Sequence, residues 1–338
     1  MYRRSTVRRS LHSLRAHMVR AAALAAVGSA LSASTLAHAQ ATYPNKPVKL
    51  VVGFAPGGPT DILARVIGAG MGKVAGEQFY IENRTGAGGT IATETVSRAE
   101  PDGYTIQMSL MSNAVNESLF KDFKVKFAES FEPIGGIAST GLVLLVHPAL
   151  EVRSVSDLIK LAKSKPGELL YASAGAGTAT HLAAELFNTM TGTKLAPVHY
   201  KGGGETIKDL LAGEVKIMFS TIPPVLGFVK DGRMRGIATT GLKRDLVLPE
   251  FPTIAESGVP GFDMALWFGL AAPKRTPRPV IDKLAASLKQ TLAMPDVQQA
   301  LAKQGFTPME YGPEEFGKFY ASEAAKWAKV VNAIGLSR

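Results

Sequence analysis

The sequence predicts a two-domain α/β protein of 338 residues, and two similar stretches carry that prediction. In each stretch a short apolar strand, near 50–52 and again near 169–172, runs into a glycine-rich loop and then into an amphipathic helix. Unbroken apolar strands of this kind are typical of a parallel sheet covered by helices on both faces. Two apolar runs closed by proline, at 142–148 and 267–273, indicate that the chain crosses twice between the domains.

The first 40 residues have the composition of a bacterial export signal. They contain six arginines and no acidic residue, and an alanine- and leucine-rich run follows over 21–37. The A-x-A sequence at 37–39 predicts a signal peptide over 1–39, cleaved between Ala39 and Gln40, and hence a periplasmic protein. Either Met1 or Met18 can serve as the start of translation, because the segment before the apolar run is long.

Charge and composition exclude several classes of function. The chain has 38 basic and 28 acidic residues, and removing the six arginines of the leader leaves 32 minus 28, a net charge of +4. No basic run interleaved with aromatic residues remains, so we expect no binding to nucleic acid. The absence of cysteine excludes disulfides, thiolate metal sites and a cysteine nucleophile. The histidines have no metal-binding spacing, and we expect neither a metal nor a cofactor.

The first glycine-rich loop is the most informative stretch of the chain. Gly57 and Gly58 have no Cβ that would hold a ligand away from the main chain, and the first N–H groups of the following helix have no partner within it. The loop can therefore hold a carboxylate or phosphate, or it can be only a tight turn. The spacing over 53–60 resembles a phosphate-binding loop, but Pro59 stands where the lysine belongs, which argues against nucleotide hydrolysis.

The remaining elements follow in alternating order. Further strands are predicted near 79–82, 104–109, 142–146, 198–200, 215–219 and 234–240, and further helices after the glycine loop at 86–89 and over 155–163, 207–211, 280–292, 297–303 and 314–331. The carboxyl ends of the first strands would bring 54–58 and 109–113 to one edge of a sheet, where ligands of parallel sheets bind. Aromatic residues along the last helix, including Trp327, are spaced to dock that helix on the first domain as core packing.

Six short motifs occur in a fixed order after the leader. They are Y-P-x-K-P at 43–47, A-P-G-G-x-x-D at 55–61, G-A-G-G at 86–89, P-D-G-Y at 101–104, S-A-G-x-G-T-x-x-H-L at 173–182 and W-F-G-L at 267–270. Because of these motifs the chain resembles the Bug family, the periplasmic solute receptors of tripartite tricarboxylate transporters. The resemblance extends from Tyr43 to the C-terminus. The resemblance implies a type II periplasmic-binding-protein fold (Venus flytrap) with two crossovers, with 43–143 plus 265–338 as domain 1 and 144–264 as domain 2.

The resemblance also implies a ligand site between two facing loops. Receptors of this family grip carboxylates with main-chain N–H groups and bridging waters. Carried over by position, the ligand-binding residues are Phe54, Ala55, Gly57, Gly58, Asp61, Ser112 and Asn113 in the first domain and Ser173, Ala174, Gly175, Gly177, Thr178, His181 and Ser220 in the second. Family members often carry an aspartate where Ser220 stands, so we expect a small carboxylate or a related amide without an α-amino group.

The predicted function is that of an extracytoplasmic receptor, a monomer that delivers its ligand to integral-membrane permease subunits. A ligand-sensing receptor without transport would use the same closed form and stays open as an alternative. A secreted serine hydrolase is the other alternative, but the sequence around Ser173 lacks the first glycine of the G-x-S-x-G motif. His181 would lie roughly 12 Å along the helix, a poor place for a general base. We therefore expect no enzymatic activity and no catalytic residue.

Overall fold

The structure is a computed structural model that describes residues 43–200 and 202–337. The predicted signal peptide at 1–39 lies outside these residues. Of the segment up to Asn45, which is a separate unit, only 43–45 are described, with a cis peptide bond between Tyr43 and Pro44. From Lys46 onward the described chain forms one compact unit around a ten-stranded sheet.

Strands and helices alternate through the first 100 residues of this unit. The elements are β1 (Val48–Val52), α1 (Pro59–Ala75), β2 (Phe79–Asn83), a 3₁₀ turn (Ala87–Gly89), α2 (Thr90–Ser97), β3 (Thr105–Leu110), α3 (Met111–Leu119), α4 (Phe127–Ser130) and β4 (Phe131–Val146). The strand and helix predictions near 50–52, 79–82 and 104–109 are confirmed. The helix α3 was not predicted, because its sequence is rich in polar residues that turn out to be buried.

The second part of the unit repeats the alternation and ends in three helices and a short strand. The elements are α5 (Val155–Ser164), β5 (Leu170–Ser173), α6 (Ala179–Thr191), β6 (Ala196–His199), α7 (Gly203–Ala212), β7 (Ile217–Thr221), α8 (Leu226–Lys230), β8 (Arg235–Thr239), β9 (Ala265–Pro273), α9 (Arg278–Leu292), α10 (Pro295–Lys303), β10 (Thr307–Pro308) and α11 (Pro313–Ala333). Each predicted element of this part is present within a few residues.

Strand β4 is the axis of the sheet. It has 16 residues, far more than the predicted 142–146, and its first part pairs with β9 and β10 while its last part pairs with β7 and β8. We call the half-sheet of β1, β2, β3, β9, β10 and the first part of β4, with its helices, lobe 1. The half-sheet of β5 to β8 and the last part of β4, with its helices, is lobe 2. This is the two-lobed α/β architecture that the sequence predicts.

The sheet is mixed: the strands of each β-α-β alternation are parallel, as expected, and the two crossing strands, β4 and β9, are antiparallel to their neighbours. The strand order is β2-β1-β3-β9-β4-β10 in lobe 1 and β6-β5-β7-β4-β8 in lobe 2. Neighbours among β1 to β3 and among β5 to β7 are parallel, but β9 runs antiparallel to β3 and β4, and β4 runs antiparallel to β7 and β8. Strand β9 enters lobe 1 from lobe 2 and β4 enters lobe 2 from lobe 1, and each runs against the strands that it joins. The short β10 also runs antiparallel to β4.

The pairing registers fix which strand ends face each other. Strands β3 and β4 both run against β9 and so point toward lobe 2, whereas β7 runs against β4 and points toward lobe 1. Leu110, at the end of β3, is level with Ala138 of β4 through Phe268, and Thr221, at the end of β7, is level with Leu142. These two levels are four residues apart along β4, about 13 Å. The loops after β1 and β5 face each other across this gap.

A continuous cluster of buried apolar side chains extends across both lobes, and α11 packs on it. Trp327 of α11 is 0% exposed, which confirms its prediction as core packing. The indole N–H groups of Trp327 and of Trp267, on β9, both donate to Oε2 of the buried Glu323, at 3.0 and 2.8 Å. The last helix thus docks on lobe 1, and it also contacts α6 of lobe 2. In the ranges that the structure describes, no helix has the length and apolar character needed to cross a bilayer.

Candidate functional site

The loop after β1 and the first turn of α1 form the structure that we call cradle 1 (residues 53–61). Gly57 has a φ of +80°, a conformation that glycine adopts without strain, and its N–H donates to Oδ2 of Asp61 at 2.9 Å. Gly58 is the N-cap of α1, with φ −76° and ψ 167°, and Pro59 fills the first helical position. Asp61, the third residue of the helix, therefore fixes the conformation of the main chain before the helix begins.

The carboxylate of Asp61 is nearly buried and fully engaged. Arg65 donates to both of its oxygens, at 2.9 and 3.0 Å, and Nδ2 of Asn83 donates to Oδ1 at 2.9 Å. The same amide group donates to the carbonyl oxygen of Phe54 at 2.9 Å. The hydrogen bond from Arg65, with further bonds from Gly57 and Asn83, lowers the pKa of Asp61 to about 2 against the opposing effect of burial. Asp61 is therefore a support of the loop, with its oxygens occupied by donors of the protein.

The loop after β5 and the first turn of α6 repeat this construction as cradle 2 (residues 173–181). Gly177 has a φ of +81°, and its N–H donates to Nδ1 of His181 at 3.1 Å. Thr178 is the N-cap of α6, with φ −74° and ψ 163°, and its Oγ1 accepts from the main-chain N–H of His181 at 3.5 Å. The glycine, the cap residue and the third helical residue of cradle 2 thus correspond one by one to those of cradle 1. The expectation that His181 lies roughly 12 Å along the helix is wrong, because α6 begins only at Ala179.

Cradle 2 is braced further by hydroxyl groups inside the loop. Ser173, which is 0% exposed, donates to the carbonyl oxygen of Gly175 at 3.0 Å and accepts from its N–H at 3.2 Å. Thr178 also donates to that carbonyl, at 2.7 Å, and Thr180 accepts from the N–H of Ala174 at 3.0 Å. The buried hydroxyl of Ser173 is therefore part of the loop framework, which is not the exposed position of a hydrolase nucleophile.

Ser112 and Asn113 lie in the first turn of α3 rather than in a loop. Oδ1 of Asn113 accepts from the N–H of Leu110 at 2.8 Å, and its Nδ2 donates to Oγ1 of Thr93 at 2.9 Å. Gln107 donates to the same hydroxyl at 3.1 Å, so Asn113 belongs to a buried polar network behind cradle 1. The hydroxyl of Ser112 is buried and has no hydrogen-bond partner among the described residues. Of these two predicted site residues, Ser112 is the one with an unused donor.

The 3₁₀ turn at 87–89 stands directly against cradle 1. A Cβ at Gly53 would lie 2.9 Å from Cα of Gly89, so the two main chains can approach this closely only because residue 53 is glycine. The ring of Phe54 lies over Gly89, and Nδ2 of Asn116 donates to the carbonyl oxygen of Gly88 at 2.9 Å. The motif at 86–89 was recognised in the sequence, but its contact with cradle 1 was not predicted.

Cradle 2 also approaches lobe 1, whereas Ser220 is held locally. A Cβ at Gly177 would lie 3.4 Å from Cδ2 of Leu119, at the end of α3. Ser220 lies at the end of β7, is 7% exposed and donates to the carbonyl oxygen of Thr221 at 2.9 Å. Sequence reasoning missed Arg65 and Asn83, which hold Asp61, and Glu185, whose Oε1 lies 4.0 Å from Nε2 of His181. Within the ranges described, no group of three or more His, Asp or Glu side chains is arranged to hold a metal ion.

The fold and its paired cradles define a two-domain periplasmic binding protein of the Venus flytrap class. The family model described as "Tripartite tricarboxylate transporter family receptor" matches residues 63–336. Protein BugT of Bordetella pertussis is 36% identical over 296 residues, which cover 87% of this chain and 91% of that protein. A protein of Pseudomonas sp. (strain P51), named for the tcbD-tcbE intergenic region, is 35% identical over 318 residues, 94% of this chain and 95% of its own. The chain belongs to the tripartite tricarboxylate transporter receptor family, as its motifs predicted.

Solved structures of similar proteins agree with this membership. The periplasmic binding protein BugD is 34% identical, with a TM-score of 0.69 over 87% of this chain and 99% of that chain. Rpa4515 of R. palustris, solved with adipate, is 35% identical, with a TM-score of 0.71 over 87% and 98%. MatC of Rhodopseudomonas palustris, solved with malate, is 31% identical, with a TM-score of 0.68 over 86% and 100%. The first is described as a periplasmic binding protein, and the other two were solved with dicarboxylic acids.

Proposed function

We propose that this chain is an extracytoplasmic receptor that binds a small carboxylate between the two cradles and delivers it to a membrane permease of the tripartite tricarboxylate type. The matched construction of the cradles, on strand ends that face each other, is the observation that carries the proposal. Both cradles are the N-termini of helices of 17 and 13 residues, where unpaired N–H groups and the positive end of the helix dipole favour an anion. The adipate and malate bound by similar receptors support the same class of ligand.

The donors proposed for the ligand are the main-chain N–H groups that the cradles do not use themselves. The N–H groups of Gly57 and Gly177 already donate to the side chains that hold each loop. Cradle 1 has few others, because both of its prolines lack an N–H. We assign the contacts to Ala55 and Thr60 in cradle 1 and to Ala176 and Thr180 in cradle 2. Phe54, Ser112 and Ser220 are proposed to border the ligand, and the remaining predicted site residues to shape the loops.

The proposed receptor works as two domains that close after export. We assign 43–143 plus 265–338 to domain 1 and 144–264 to domain 2. The change of partners along β4, from β9 beside Gly141 to β7 beside Leu142, and the start of β9 at Ala265 support these boundaries. Cleavage after Ala39 is proposed to release the mature protein into the periplasm, and the intact mass of the exported form tests this. Retention of Arg15 or Arg20 in that form would contradict it.

Calorimetry and thermal unfolding with adipate, malate and a neutral diamide test the binding proposal. A dicarboxylate at about one hundred times its dissociation constant should stabilise the protein by about 2.7 kcal/mol. The diamide at the same concentration should stabilise it less. Gly58→Val is the informative variant, because Gly58 has a negative φ and a Cβ there meets only the carbonyl oxygen of Ala55, at 3.4 Å. Gly177→Val is less informative, because the φ of +81° strains any side chain.

Gly312 provides a matched control. It is the N-cap of α11 with φ −71° and ψ −178°, so valine there has the same effect on a helix end outside the cradles. We expect Gly58→Val to abolish binding and Gly312→Val to retain it. Full affinity in folded Gly58→Val would show that the loop is only a turn. Uptake of the bound acid is compared between cells with and without this protein, and this comparison tests delivery. If the purified protein binds the acid but its loss does not reduce uptake, the result favours the sensing receptor.

A further inference from the structure

We propose that His181 is the positioning residue of cradle 2 and that only its neutral imidazole supports this cradle, so that protonation of His181 opens cradle 2 and releases the ligand. The state of the imidazole follows from contacts within the protein. The consequence for the ligand rests on the proposed function.

The two cradles use the same positions with opposite chemistry. In cradle 1 the glycine N–H is accepted by Asp61, and Arg65, four residues further along α1, pairs with that carboxylate. In cradle 2 the glycine N–H is accepted by His181, and the residue four further along α6 is Glu185, whose Oε1 lies 4.0 Å from Nε2 of the imidazole. In cradle 1 the acceptor of the glycine N–H is therefore an acid, Asp61, that pairs with a base, Arg65. In cradle 2 the acceptor is a base, His181, that lies beside an acid, Glu185.

The hydrogen bond from Gly177 determines where the imidazole carries its proton. Nδ1 accepts the N–H of Gly177 at 3.1 Å, so Nδ1 carries no hydrogen and the neutral ring carries its hydrogen on Nε2, the nitrogen that lies 4.0 Å from Oε1 of Glu185. Protonation at Nδ1 would place two N–H donors opposite each other at that distance. The bond then cannot persist, and Gly177 has to turn away from the ring. Since Gly177 shapes the loop, cradle 2 loses the conformation that presents its donors.

The surroundings of His181 favour movement of the charged ring away from the loop. Oε1 of Glu185 accepts the hydroxyl of Tyr171, on β5, at 2.6 Å. Burial and this bond raise the pKa of Tyr171, which therefore stays a donor to Glu185. The ring of His199, on β6, meets that of His181 edge to face at 4.9 Å between centroids, and Lys194 stands in the loop before β6. Glu185 is the nearest acidic partner among these groups, and an imidazolium is drawn toward it.

A cavity gives solvent protons access to this cluster. It has a volume of about 490 Å³ and is bordered by His181, Glu185 and His199, and also by Ile334 and Leu336 of the C-terminal segment. His181 itself is 5% exposed. The supports of the two cradles therefore respond differently to pH. Asp61 has a pKa of about 2 and stays ionised above pH 4, whereas histidine is the side chain that changes charge between pH 5 and 8.

Two substitutions separate positioning from packing. His181→Asn supplies an amide oxygen that can accept the N–H of Gly177 but does not titrate, as Asp61 accepts in cradle 1. His181→Ala removes the acceptor. Calorimetry with adipate and malate at pH 8 and pH 5.5, expressed as the ratio of wild type to His181→Asn at each pH, cancels any titration of the ligand. We expect this ratio of affinities to fall tenfold or more from pH 8 to pH 5.5, and His181→Ala to bind weakly at both. Identical pH profiles for wild type and His181→Asn, or full affinity in His181→Ala, would overturn the proposal.

A measurement on the free protein keeps the inference separate from the identity of the ligand. The chain after the leader contains three histidines, His147, His181 and His199, so their ¹⁵N ring signals can be assigned by substitution. We expect His181 to carry its proton on Nε2 and the amide signal of Gly177 to shift with the titration of that ring. His199→Gln should leave this linkage intact. If the Gly177 amide signal does not shift as the His181 ring titrates, the proposal is refuted even where an acid binds. If the signal shifts with the ring but no acid binds, only the proposed function is refuted.

Discussion

Asp61 accepts hydrogen bonds from Gly57, Arg65 and Asn83 with a carboxylate that is almost fully buried. Asp61→Asn removes the charge and one acceptor, and turns an amide NH₂ toward groups that are donors. We expect unfolding in urea at pH 7 to show a loss of about 1–3 kcal/mol, together with weaker binding of dicarboxylates. Asp282→Asn is the matched control, because Asp282 pairs with Arg278 at 2.7 Å on the surface of α9, where such pairs contribute little. Equal losses in the two variants would contradict a special role of Asp61.

The same carboxylate makes a prediction about acid. Its pKa in the folded protein, about 2, lies below the ordinary value of 3.8, so its contribution to stability is complete above about pH 4 and is lost as the pH falls toward 2. Unfolding measured between pH 2.5 and 7 should therefore show a smaller acid-induced loss of stability in Asp61→Asn than in the wild type. A wild-type and an Asp61→Asn protein that lose stability in parallel would show that Asp61 is not held in this way.

Ser220 makes a prediction about which ligands are accepted. A neutral hydroxyl at the end of β7 imposes no charge preference, whereas an aspartate there would oppose a second carboxylate of the ligand. Two unit charges about 6 Å apart at an effective dielectric constant near 20 interact by roughly 3 kcal/mol, which corresponds to about a hundredfold in affinity. Calorimetry should show that Ser220→Asp weakens binding of a dianion far more than binding of a neutral amide, and that Ser220→Asn does not discriminate. Equal losses for both ligand types in Ser220→Asp would show that Ser220 does not face the ligand.

The segments around the cradles were predictable because their signals are local. An apolar strand, two glycines and an amphipathic helix lie within about 25 residues around each cradle, and the spacing of those residues is enough to indicate the turn and the start of the helix. The supports Arg65 and Glu185 lie at i+4 from Asp61 and His181, so helical spacing could have indicated them as well. Asn83 could not be found in this way, because its contact with cradle 1 depends on the pairing of β1 with β2.

Strand β4 and helix α3 show what local signals cannot provide. Pro133, Gly135 and Gly136 interrupt the first part of β4, which exists because it pairs with β9 and accommodates register shifts at those residues. In α3 the apolar residues have helical spacing, but the helix also buries the polar residues Asn113 and Asn116. Long-range pairing decides β4, and burial of the two asparagines depends on hydrogen bonds to Thr93 and Gly88, which lie outside the sequence window of the helix.

The carboxylate of Glu323 connects helix α11 to β9 through hydrogen bonds. Glu323→Ala would leave the N–H groups of Trp267 and Trp327 buried without their acceptor, and it would also remove the ion pair with Lys326. We expect a loss of about 2–4 kcal/mol in urea unfolding. Glu314→Ala, in the exposed first turn of the same helix, should cost less than about 1 kcal/mol. Similar losses in the two variants would show that the helix is held by apolar packing alone.

The proposed function implies that ligand binding and closure of the two lobes are coupled. A ligand held by donors from both cradles stabilises the state in which the lobes are closest, because only that state makes both sets of contacts. Small-angle scattering should therefore show a smaller radius of gyration when adipate or malate saturates the wild type. Gly58→Val should not compact, whereas Gly312→Val should compact as the wild type does. Compaction of Gly58→Val at the same acid concentration would show that closure does not depend on cradle 1.

The claim that one anion is held by two helix N-termini is tested most directly by the amide signals of the cradles. Addition of a dicarboxylate that binds should shift the ¹H–¹⁵N signals of Ala55 and Thr60 and those of Ala176 and Thr180 together, with the same dissociation constant. Signals at the N-terminus of α11, beside Gly312, should stay in place. Shifts confined to one cradle, or a saturating ligand that moves neither, would contradict the account.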